Sequence, residues 1–132
     1  MSELNLNLEQ LAQPYMTEIN GEDFTIHYDA QTTTLSFQGS LRLAGIESYQ
    51  PVLDLLSDVQ SDSPATITLD LKQLEFLNSS GISMLSKFVI SVRKQESSHI
   101  VVKGSTTIPW QSKSLKNLKR LMPTLELVLE DE

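Results

Sequence analysis

The sequence predicts an α/β fold of the α+β type, a mixed β-sheet with helices packed against it in the order β-β-α-β-α-β-α-β. Three observations carry that expectation. Residues 24–28, 34–38 and 65–71 alternate apolar and polar side chains with the two-residue period of a half-buried strand. Residues 46–59 and 78–96 repeat apolar side chains with the helical period instead. Strands and helices then follow one another along the chain, which favours neighbouring strands joined by right-handed crossovers.

Residues 1–22 alternate Leu with polar residues before Pro14 and an Asn20-Gly21 turn signal. They read as an extension that packs loosely or adds an edge element, ahead of a single domain at 23–132. The strands at 24–28 and 34–38 read as a hairpin turned by 29–33 and closed by Gly39. In the first helix, 46–59, Ile46, Tyr49, Val52, Leu53, Leu56 and Val59 share one face, and Glu47, Gln50, Asp54 and Asp58 the other. Pro51 fits its first turn with Ser48 as N-cap, because the first amides of a helix have no intrahelical acceptor to lose. Ser61-Asp62-Ser63-Pro64 ends that helix. The strand at 65–71 is the strongest and belongs in the middle of the sheet. Residues 72–77 read as a short connection into a second helix. Its buried stripe is Ile82, Leu85, Phe88, Val89 and Val92, with Met84 at the edge and Ile90 on the far side beside Ser83, Lys87 and Lys94. A strand at 100–103, a loop from Gly104 that includes Trp110, a third helix at 112–121 and a last strand at 125–129 complete the order. Leu115, Leu118 and Met122 face inward from the third helix.

Composition narrows the function. At 132 residues the chain is long enough for one self-sufficient core. Its net charge of -7 disfavours nonspecific attraction to nucleic acid. With no cysteine, and only His27 and His99 as histidines, neither disulfides nor a zinc site of familiar spacing is expected. The acidic N-terminus has no signal-peptide pattern and no apolar run is long enough to span a bilayer, so the chain reads as cytosolic, without membrane insertion. Enzyme chemistry lacks parts: no Gly-rich phosphate loop exists, and Asp54, Asp58, Asp62 and Asp70 have sufficient roles in solvation and capping. No cofactor is expected.

Composition departs from plain packing at Asn78-Ser79-Ser80-Gly81, between an apolar strand exit and an apolar helix. One reading is structural, because Asn and Ser are favoured N-caps and a helix start needs one of them. The other uses the same physics for function. Free amides and the positive end of the helix dipole stabilise an anion, so a serine here can carry a phosphate at little cost to the fold. That phosphate would add about -1.5 to -2 charges to a docking surface.

The segment 66–71, the spacer Leu74-Glu75-Phe76-Leu77 and the motif Asn78-Ser79-Ser80-Gly81-Ile82 resemble the signature of STAS domains, the anti-sigma factor antagonist family. The likeness runs from about Phe24 to Leu129 and includes Gly39-Ser40-Leu41. It implies three or four helices on a mixed sheet, and a partner-switching function. By the resemblance, Ser79 would be the phosphoacceptor and Ser80 a secondary one. The partners would be an anti-sigma factor that is also an ATP-using serine kinase, and a serine phosphatase. The partner-binding surface would comprise Asn78, Ser79, Ser80, Gly81, Ser83, Lys87 and Ile90. Three positions depart from the family pattern: Asn78 stands where Asp is usual, Ser83 replaces a small glycine, and Leu41-Arg42-Leu43 lacks an acidic residue.

Two other readings compete. One is a scaffold or transporter-associated member of the same fold that is never phosphorylated; the other is a nucleotide or small-ligand domain using the second helix's N-terminus as an anion site. A homodimer is a further arrangement that the reading admits. Lys113, Lys116, Lys119 and Arg120 read as a solvated helix face, with a partner-facing patch as the alternative. Trp110 reads as an edge cap of the core or as an exposed anchor.

Overall fold

The computed structural model describes residues 18–131, so the reading of residues 1–17 lies outside the described residues. Six strands form one sheet in chain order: β1 (Glu18–Asn20), β2 (Phe24–Asp29), β3 (Thr34–Leu41), β4 (Thr66–Leu77), β5 (His99–Ser105) and β6 (Glu126–Glu130). The first three are antiparallel neighbours, and β3 to β6 run parallel. A 3-10 turn (Ile46–Tyr49) leads into α1 (Gln50–Ser61); α2 (Ser79–Gln95) and α3 (Pro109–Leu121) follow β4 and β5. From β2 onward this is the expected order. β1 is an added edge strand, lying inside the segment read as an extension.

Each helix connects adjacent parallel strands, always stepping the same way across the sheet, so right-handed crossovers put all three on one face. The alternation of burial follows. Leu35 and Phe37 on β3, Ile67, Leu69 and Leu71 on β4, and Ile100 and Val102 on β5 are buried beneath the helices. Thr34, Ser36, Thr68, Asp70 and Lys103 occupy the opposite face. The core closes on Tyr49, Leu56, Met84, Val89 and Leu115 from the helical layer.

Several elements differ from the sequence expectation for identifiable reasons. Residues 72–77 are strand, not connection, and β4 runs to Leu77. Its buried Leu71, Leu74 and Leu77 are three apart because the β3–β4 register twice inserts an extra β4 residue, between Ser36 and Gln38 and between Gly39 and Ser40. Bulges of this kind hide the two-residue period. Gly39 does not close the hairpin but sits within β3 at the second bulge. Its φ of 89° and the close approach of the Asp23 carbonyl leave no room for a side chain.

Ser48 is not the N-cap of α1. Its Oγ donates to Ala44 O (2.8 Å), ahead of the 3-10 turn, and the cap position falls to Tyr49. Pro51 does occupy the helix's first turn. Leu55 joins the buried face, and Met84, expected at an edge, is fully buried, whereas Ile82 is only partly covered. Finally, α3 starts at Pro109, so Trp110 belongs to a helix and not to a loop.

Candidate functional site

Parallel strands deliver their C-terminal ends to one edge of the sheet, where loops and helix starts converge. Here the ends of β3 and β4 meet the start of α2, and Asn78 is the residue that joins them. It has extended backbone and caps α2, its Oδ1 accepting from Gly81 N–H at 2.9 Å. The same Oδ1 accepts from the Tyr49 hydroxyl at 2.7 Å, and Nδ2 donates to Leu43 O at 2.9 Å. Its backbone N–H donates to Leu41 O at 3.1 Å. One residue thus ties the end of β3, the turn before α1 and the first turn of α2 together.

This geometry explains why asparagine serves here. A carboxylate could accept from Tyr49 and Gly81 but has no hydrogen to give Leu43 O. Tyr49 is fully buried below the cap, and burial pushes its phenol up from the ordinary value of 10.0. Gly81 is buried as well. A Cβ there would collide with the Leu77 side chain and come within 2.9 Å of the Tyr49 hydroxyl, so glycine at this position is a packing requirement.

Above this buried bracket the surface opens. Ser79 is the first helical residue and is exposed; Ser80 is half-buried. Because Asn78 takes the Gly81 amide, the Ser79 and Ser80 amides remain at the helix start with no capping side chain. Ser83 and Lys87 are exposed and Ile90 is half-buried, all along the outward line of α2 that begins at Ser79. The expected site residues therefore fall into two groups. Asn78 and Gly81 build the bracket, and Ser79, Ser83 and Lys87, with the partly covered Ser80 and Ile90, face outward.

Residues outside the expected site also converge here. Phe76 is 40% exposed, and the Arg42 guanidinium lies 4.7 Å from its ring centroid. The adjacent apolar pair Phe76-Leu77 breaks strand alternation, which was the available signal. On the other side of β4, the ladder with β5 ends at Asp70 and Lys103. Beyond that point Gln111, fully buried at the start of α3, takes over as hydrogen-bond partner. Its Nε2 donates to Leu71 O (2.6 Å) and Leu74 O (2.9 Å), and its Oε1 accepts from Ser105 N–H (2.7 Å). The Trp110 indole also donates to Leu74 O, at 3.2 Å. The available signal is its spacing, four residues before Leu115 on the inward line of α3.

Residues 25–108, which include the whole Asn78 bracket, match the STAS domain. The chain belongs to the STAS domain family. This STAS domain shares its fold with SiaC of Pseudomonas aeruginosa, at 17% identity and a TM-score of 0.68, over 89% of this chain and 100% of that one. A chain from the complex of diguanylate cyclase SiaD with its activator SiaC, from the same organism, is similar at 16% identity and a TM-score of 0.68, covering 87% of this chain and 98% of that chain. An anti-sigma factor antagonist from Mycobacterium paratuberculosis is similar at 21% identity and a TM-score of 0.57, over 83% and 90% of the two chains. No curated protein matches the sequence.

Among the described residues of this STAS domain, no group of three or more His, Asp and Glu side chains could hold a metal ion. No described helix is long and apolar enough to cross a membrane. A surface cleft of about 350 Å³ shares Arg42 and Leu43 with the loop that Asn78 grips. Glu22 and Asp23 line it too, a poor setting for nucleotide phosphates.

Proposed function

We propose that this STAS domain is an anti-sigma factor antagonist-like regulator that binds a protein partner through the outward line of α2. Phosphorylation of Ser79 controls the docking. The reading rests on one observation: an exposed serine opens α2 directly above a cap that is complete without it. The Asn78 bracket keeps its bonds whether or not Ser79 carries a phosphate, and the adjacent free amides favour the added anion. Charge on the docking surface then changes while the architecture stays. The partner is an anti-sigma factor with serine kinase activity, and a serine phosphatase reverses the modification; the domain itself is a non-catalytic substrate in the cytoplasm. SiaC, found in complex with diguanylate cyclase SiaD as its activator, supports protein partnering as a use of this fold.

Incubation with such a kinase and ATP should add one phosphate by intact mass, absent in Ser79→Ala and retained in Ser80→Ala. Ser79→Asp should weaken kinase capture. An unmodified wild-type mass across the kinases tested, together with capture that is indifferent to Ser79→Asp, overturns the switch.

The neutral Asn78 favours a second reading, a scaffold member of the family held in one binding state. No carboxylate stands beside Ser79 in the bracket to orient it for a kinase. Under that reading Ser79→Ala and Ser79→Asp bind the partner equally well.

A further inference from the structure

We infer that the face formed by α2 and α3 docks an acidic, amphipathic segment of a partner protein. The inference deepens the reading above and rests on its placement of the docking surface along α2. It starts from an uneven distribution of charge. Of the ten basic residues, seven lie in α2 and α3, and neither helix contains a single Asp or Glu. The remainder of the chain holds three basic residues against all seventeen acidic ones. An acidic protein thus presents one cationic side, and that side adjoins Ser79.

The cations are placed for an external partner. Lys87, Arg93, Lys94, Lys113, Lys116 and Arg120 are all exposed and have no ion-pair partner among the described residues. Lys119 is used internally, donating to Pro123 O and Leu125 O. Arg93 reaches across to Leu121 O at 2.9 Å, tying the two helices into one surface. Between the helices Leu77, Leu85, Leu115 and Leu118 close into a buried apolar seam, with the partly covered Ile82 and Trp110 at its margin. The partly exposed Ile82 and Trp110 among these cations fit an amphipathic helix whose carboxylates flank an apolar stripe. Nucleic acid fits less well, since stacking bases needs exposed aromatic rings and this face offers one, the partly covered Trp110. A phosphate on Ser79, about two turns from Lys87 along α2, would offset the cations and oppose an acidic partner, which gives the switch its sign.

Trp110 is the sole tryptophan of the sequence and stands at the margin of that seam, so its emission reports on the face. The probe is a synthetic helical peptide lacking Trp and Tyr, with Leu at helical spacing and Glu elsewhere; its control replaces every Glu by Lys. The Glu peptide should shift Trp110 emission saturably and lose affinity with added salt. The Lys control and the Lys113→Glu/Lys116→Glu domain should each bind at least about tenfold more weakly. Equal binding of the two peptides, or no response to the Glu peptide, overturns the inference. So does a tighter response to single-stranded DNA or to phosphatidylserine vesicles, and so does a concentration-dependent shift without peptide, which would give the face to a second copy. Intact-mass measurement on the same double variant separates the two claims. Ser79 that is phosphorylated in a domain that ignores the Glu peptide leaves the switch standing and removes this inference; peptide binding without phosphorylation does the reverse.

Discussion

Asn78 shows how a residue favoured for capping can do more than cap. Its amide joins three segments with no atom to spare, so Asn78→Ala should cost about 2–3 kcal/mol in urea unfolding, beyond the ~1 kcal/mol of a simple cap. Asn78→Asp exchanges a donor for an anion that faces Leu43 O, while gaining about 0.3–1 kcal/mol from the helix dipole. The net should remain destabilising, by about 1 kcal/mol. A carboxylate variant as stable as the wild type would show that the bond to Leu43 contributes little. Gly81→Ala should also destabilise, by about 1–3 kcal/mol, although Ala is the better helix former. The collision is with a leucine side chain and a buried hydroxyl that already has a partner, so relief requires moving Tyr49 out of the bracket.

The interlock between β4 and α3 places stability where the sheet ladder fails. Past Asp70, β4 loses β5 as a neighbour, and Gln111 supplies the missing donor and acceptor from a helix. Gln111→Ala would remove the donor to Leu71 O and the acceptor for Ser105 N–H and leave Leu74 O with the Trp110 indole, at about 2–4 kcal/mol. Hydrogen exchange offers a local check: the Ser105 amide should lose protection more than the amides of β2. Uniform loss across the sheet would mean that Gln111 acts only through global stability. This element also marks where sequence reading stops. The helices and the strand at 65–71 were legible because burial imposes their period on the residues. The second half of β4 was not, since two bulges shift its leucines to intervals of three. The bonds of Gln111 were not either, because two of its three partners are carbonyls contributed by a segment some forty positions away. For the site, Ser79 and its exposure followed from the motif, whereas the grip of Asn78 on Leu43 and Tyr49 required the loop after β3 to return beside α2.

At the scale of the molecule, the two shifted phenols set an alkaline limit. Burial raises both Tyr28 and Tyr49 above 10.0, so the folded state holds these protons more tightly than the unfolded chain does. Below about pH 10 both states are protonated and the contribution is complete. Above it the unfolded chain ionises first, and stability falls as pH rises until the folded phenols follow. Urea midpoints measured from about pH 8 to about pH 11 should decline, and less steeply in Tyr49→Phe. An unchanged slope would show that Tyr49 contributes nothing to the alkaline loss.

All three helices pack on one side of the sheet, and among the described residues no element covers the other side, which suits it to instrumentation. Thr66 is exposed at the start of β4, about 35 Å along the strand from the Ser79 end. Since the chain contains no cysteine, Thr66→Cys would create one unique thiol there. A dye fixed to it would tumble with the domain and register a partner's arrival as slower rotation, while standing well away from where that partner lands.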